Sequence, residues 1–136
     1  MNPIIRNVLA VIVGFLAGSA VNMGLVMASP HIIPPPAGVD VNDIESIKAS
    51  IHLYEFKHFI VPFLAHALGT VVGAYVAVII SASYKLIVGL VIGVLFLLGG
   101  ISVAFMLPSP TWFVVVDIVG AYMPMAWIGT KLTGRA

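Results

Sequence analysis

Four long apolar runs, separated by polar breaks, organise this chain. They cover residues 4–27, 59–81, 84–106 and 112–130. Each matches the roughly 20 residues that a helix needs to cross the hydrocarbon core of a bilayer. An open segment in lipid satisfies its backbone only as a helix. The pattern therefore predicts four transmembrane helices. The breaks SASYK and LPSPT are short, so consecutive helices are expected to be antiparallel neighbours. The predicted fold is an all-α membrane protein: one membrane domain over residues 1–136, an antiparallel four-helix bundle with an outer amphipathic helix between the first and second spans.

That outer segment, residues 28–58, is longer than a bundle loop requires. Its Pro-rich start reads as extended. Asp40 or Asn42 then offers an N-cap, and no further Gly or Pro intervenes before Pro62. Ile44, Ile47, Ile51 and Tyr54 recur at helical spacing, with Asp43, Ser46 and Ser50 on the other side. The spacing predicts a helix over residues 42–56, lying on the outer face of the bundle or membrane.

Small residues set the packing expectation. GxxxG occurs at Gly14/Gly18, Gly69/Gly73 and Gly89/Gly93. Missing side chains let membrane helices approach closely, where dispersion holds them. Three copies favour a tight bundle over a wide channel. A small protein has few internal faces, so some of these stripes are also available to a homo-oligomer or to another membrane protein.

Composition agrees. The 136 residues are 61% hydrophobic and 8% charged, with mean hydropathy +1.17. Soluble domains carry about a quarter charged residues, so the expected solvent is the lipid bilayer. A net charge of +1 gives no reason to expect nucleic acid, and the absence of cysteine excludes disulfides and thiolate metal sites. The first apolar run carries the small residues Ala17–Ala20 that a signal peptidase favours; we read it as a retained span. Arg6, Lys85, Lys131 and Arg135 fall on one side of the spans, while Lys48 and Lys57 lie on the other beside Asp40, Asp43, Glu45 and Glu55. By the positive-inside rule both termini are cytoplasmic and the long loop is outside.

The candidate chemistry is a polar layer. Asn22, His66, Ser102 and Asp117 each lie roughly 6–10 Å inside the outer end of their span, at 1.5 Å per residue. Asn22 continues the Gly14/Gly18 stripe; His66 shares its side with Gly69, Thr70 and Gly73; Asp117 shares its side with Gly120, Ala121 and Pro124. Close-packing faces point inward, so these polar groups should as well. An intramembrane carboxylate is costly. Asp117 either snorkels to the surface beside Trp112 or needs a partner, and His66 is the basic candidate at its depth. The expected intramembrane polar site is Asn22, His66, Thr70, Ser102 and Asp117. Interhelical hydrogen bonding suffices for Asn22, and Ser102 is expected to bond back to its own helix.

A second cluster lies in HLYEFKHF. His52, Glu55 and His58 are spaced along one side of a helix, and Glu55-x-x-His58 has the spacing used in carboxylate-bridged bundles. With Glu45, His31 and His66 there are donors enough for one divalent metal. The same residues also suit a hydrated helix. No cofactor is called for, and no H-E-x-x-H, nucleophile elbow or phosphate loop is present.

The text IIPPPAG, followed by ESIKASIH, FLAHALGT, MLPSPTWF and AYMPMAW, resembles a family of small four-helix bacterial inner-membrane proteins with no assigned activity. The resemblance implies a location in the inner membrane and no catalytic residue. Four-helix multidrug transporters rely on a glutamate in the first helix, and this first span has none. Three functions stay open: a non-enzymatic structural, interaction or ligand-binding protein; a small transporter or proton-coupled carrier using His66 and Asp117; and a membrane metalloprotein using the outer-segment donors.

Overall fold

A computed structural model describes residues 1–136. The chain is all-helical: α1 (Pro3–Ile32), α2 (Ile44–Ser50), α3 (Ile60–Ile80), α4 (Lys85–Met106), α5 (Thr111–Gly120) and α6 (Met123–Leu132). Four helical stretches are long and apolar enough to cross a membrane: Pro3–Ile32, Phe56–Ile80, Lys85–Met106 and Thr111–Leu132. They cover the four apolar runs, and the first extends beyond the expected end at Met27. Much of their apolar surface is outward-facing, for example Leu16, Leu64, Leu98 and Val119.

α3 is the central element. Its small residues Ala65, Gly69, Gly73, Ala74 and Ala77 are buried, whereas the longer α1 buries only Ala10, Gly14 and Gly18. Those two stripes meet. A Cβ built on Gly14 would lie 2.6 Å from the Ala77 Cβ and the Gly73 carbonyl oxygen. One on Gly18 would fall on the Gly69 carbonyl and 2.9 Å from Phe96. Farther along, Gly69 packs against Asn22. As residue numbers rise along α1 they fall along α3. The glycines are needed here because backbone touches backbone.

The fourth apolar run departs from expectation. It is two helices, not one continuous helix over residues 112–130. Pro124 has no N–H to offer the Gly120 carbonyl, and Tyr122 takes φ −116 and ψ −77 at the join. Ala121 and Tyr122 are both buried at this break, so it lies inside the protein.

The outer segment also departs. The expected helix over residues 42–56 is a seven-residue helix, α2, followed by two short 3-10 turns, Ile51–Leu53 and Phe56–Phe59. Tyr54 and Glu55 between them are extended. No Gly or Pro lies here, but a side chain breaks the helix: His58 Nδ1 accepts from the Glu55 N–H at 2.8 Å and so caps a new turn. Ile47 and Ile51 are partly covered, while Ile44 is 40% exposed and α2 buries nothing fully. His58 also reaches the Pro34 carbonyl with Nε2 at 3.1 Å, tying the Pro-rich stretch to the head of α3. Phe59 packs on Trp112 and Phe113, and Phe56 stacks on Trp112 at 5.4 Å. This aromatic roof covers the end of the bundle nearest the polar residues.

Candidate functional site

His66 and Asp117 meet. The distance from His66 Nδ1 to Asp117 Oδ1 is 2.7 Å. The other carboxylate oxygen, Oδ2, accepts from the Tyr122 hydroxyl at 2.8 Å. Both oxygens of Asp117 are therefore held, and the residue is 5% exposed. A carboxylate only accepts, so Nδ1 carries the proton of this hydrogen bond. The imidazole also lies over the Tyr122 ring, with centroids 5.9 Å apart and planes 25° apart. Asp117 does not snorkel to the surface beside Trp112.

Each member depends on local backbone. His66 sits one turn from Gly69 and Thr70 on α3, and the Thr70 hydroxyl donates to the His66 carbonyl at 2.8 Å. Thr70 thus fixes the backbone that carries the imidazole, without touching the carboxylate. Tyr122 follows Asp117 by five residues. In a straight helix that spacing turns the two side chains well apart. The break before α6 brings the hydroxyl back to the carboxylate. Sequence spacing alone missed Tyr122 for this reason; the available signal was Pro124, which forecasts a break beside a tyrosine.

The third span contributes differently than expected. Ser102 is exposed and donates to the Leu98 carbonyl of its own helix at 2.9 Å, outside the cluster. Gly100 is the α4 residue at the site: a Cβ there would fall on the Tyr122 ring and hydroxyl. Asn22 lies against Gly69 rather than in the hydrogen-bonded chain, and its Oδ1 is the one buried side-chain polar atom without a partner. The observed centre is thus Tyr122–Asp117–His66, with Thr70 supporting it and Asn22 nearby on α1.

His52, Glu55 and His58 are not assembled as a ligand set. His52 and Glu55 are exposed, and both nitrogens of His58 already meet backbone groups. No group of three His, Asp or Glu side chains stands together anywhere in the structure. Beside the aromatic roof, burial pushes the Tyr54 hydroxyl above its ordinary pKa.

Two clefts are prominent, and neither is lined by His66, Asp117 or Tyr122. One, of about 180 Å³, lies between α3 and α5 under the roof and is wholly hydrophobic, lined by Phe59, Phe63, Trp112, Phe113 and neighbours. The other, of about 370 Å³, lies between α1 and α4 at the opposite end. The chemistry available at the centre is a carboxylate-oriented, partly exposed imidazole whose Nε2 makes no hydrogen bond. No family model, curated protein or solved structure matches this chain.

Proposed function

We propose that this is a non-enzymatic multi-pass protein of a bacterial inner membrane, of the structural, interaction or ligand-binding kind. In this reading the four spans form an antiparallel bundle with both termini cytoplasmic and the outer segment outside, and the chain belongs with the small four-helix membrane proteins that it resembles. The lysine and arginine distribution supports the orientation. The exposed apolar side chains of α1 and α4, Leu16 and Leu98 among them, leave faces that a second copy or another membrane protein can use.

The Tyr122–Asp117–His66 chain is the functional centre of this reading. It acts as a polar lock, holding the broken fourth span against α3. The observation that carries it is that both Asp117 oxygens are occupied, one from α3 at 2.7 Å and one from the break between α5 and α6 at 2.8 Å, with neither main cleft reaching them. A buried carboxylate so paired specifies one helix register, because any slip leaves it unpaired. Equilibrium unfolding in mixed micelles tests the lock. His66→Leu leaves Oδ1 without its donor and should cost about 1–3 kcal/mol. Asp117→Asn keeps an acceptor and gains donors, so it should cost less. Unchanged stability in both variants would sink the lock.

One observation favours a second reading, a small proton-coupled carrier. The His66 side chain is 18% exposed, and its Nε2 makes no hydrogen bond. An imidazole so oriented by a carboxylate can take and return a proton. Proton flux in proteoliposomes that Asp117→Asn abolishes, with the fold intact, would replace the lock by the carrier.

A further inference from the structure

The end of the bundle opposite the aromatic roof gathers three cations onto one helix terminus. The last turn of α3 has no basic residue of its own. Arg6 of α1 donates from Nε to the Ile80 carbonyl at 2.6 Å. Arg135 of the C-terminal tail donates from Nη1 to the Ile79 carbonyl at 3.1 Å. Lys85 of α4 donates to the Ser81 and Val78 carbonyls at 2.8 and 3.1 Å. These are the open carbonyls that any helix C-terminus leaves, and capping them is a sufficient role for Lys85, whose ammonium is fully engaged. It is not sufficient for the arginines. Each guanidinium has five N–H donors and spends one here, and both residues are exposed.

The charge is also unbalanced. A helix C-terminus supplies roughly half a negative charge against three positive ones. All five acidic side chains lie elsewhere: Asp40, Asp43, Glu45 and Glu55 in the outer segment, and Asp117 in the polar centre. No Asp or Glu side chain faces this end.

The cleft between α1 and α4 starts at the same end. Its lining includes Ile4, Val8, Ile87 and Val91, with Asn7 and Tyr84, the chain neighbours of Arg6 and Lys85. Asn7 is fixed there by the α3–α4 turn, whose Ala82 and Ser83 N–H groups donate to its Oδ1 at 2.9 and 3.3 Å. The volume of about 370 Å³ falls in the range of roughly 300–1,000 Å³ usual for small-ligand clefts.

We infer that this end is a binding site for an anionic phospholipid, the headgroup phosphate meeting the free N–H groups of Arg6 and Arg135 and an acyl chain lying in the α1–α4 cleft. Guanidinium forks match phosphate oxygens, and basic pockets between membrane helices hold anionic headgroups. The apolar cleft running away from the charges selects a lipid over free phosphate. The inference rests on the membrane reading but not on the polar lock.

The test is native mass spectrometry of the full chain released from bilayers of equal phosphatidylglycerol and phosphatidylcholine. Phosphatidylglycerol should be retained preferentially. Arg6→Gln and Arg135→Gln should each reduce that preference about fivefold, the equivalent of one surface cation. Lys131→Gln, at the same end but outside the cluster, should not change it. Ile87→Trp, an exposed cleft position, should reduce retention without altering any cation. Arginine variants that leave the preference intact would overturn the site. So would a Lys131→Gln effect of equal size, which would mean diffuse surface charge, or displacement of the lipid by millimolar inorganic phosphate. Incorporation into pure phosphatidylcholine bilayers checks the membrane reading separately; failure there removes the reading and the site together.

Discussion

Tyr122→Phe isolates the contribution of one hydroxyl. Tyr122 is 2% exposed and its hydroxyl lies 2.8 Å from Asp117 Oδ2. The substitution keeps the ring, the stacking on His66 and the fill against Gly100, so no cavity is made. Only Oδ2 loses its donor. Hydrogen bonds to charged groups are worth about 1.5–3 kcal/mol in soluble proteins, whereas interhelical polar bonds in membranes average about 0.6 and reach about 1.7. The carboxylate is buried and has one other donor, so the upper membrane value applies, and a loss of about 1–2 kcal/mol is expected. Equilibrium unfolding in mixed micelles reads it. A cycle with Asp117→Asn assigns it to the pair, with an expected coupling of about 1 kcal/mol. If Tyr122→Phe matches wild type, or if its cost is the same with Asn at position 117, the hydroxyl does not hold the carboxylate and the account of the break in the fourth span is wrong.

Other outcomes follow from the same geometry. Gly100→Ala forces a methyl onto the Tyr122 ring and should cost about 1–3 kcal/mol by overpacking in the same unfolding assay. Gly18→Ala meets the Gly69 carbonyl and Phe96 and should cost a similar amount, while Gly24→Ala, with nothing within 4 Å, should be neutral or stabilise by up to about 1 kcal/mol. Cysteines placed at Ser50 and Ser83 report orientation to an impermeant thiol reagent in intact cells: Ser50 should label and Ser83 should not, and the reverse would invert the proposed topology.

Much of this protein was legible from one dimension. Lipid forces a helix wherever twenty apolar residues run together, so the four membrane-length segments followed from hydropathy alone. The GxxxG stripes marked faces where backbones can approach closely, but their partners were not legible; the assembled fold sets Gly14 and Gly18 against Gly73 and Gly69. The cost of an isolated carboxylate in a span singled out Asp117 and named His66 as its partner, and the structure brings the two within 2.7 Å. Other side-chain contacts were not legible. The His58 imidazole caps the backbone three residues back and so ends the outer helix that periodicity predicted. Pro124 bends the fourth apolar run so that Tyr122, five residues on, returns to Asp117. Gly100, not Ser102, is the α4 residue at the centre, because room for a phenol decided the contact and a serine can satisfy itself on its own helix. Arg6, Lys85 and Arg135 converge on the end of α3 from three separate elements. Local pattern specifies which face of a helix is apolar or small. Which side chains complete one another's hydrogen bonds depends on where helices break and how they are turned, and only the assembled fold decides that.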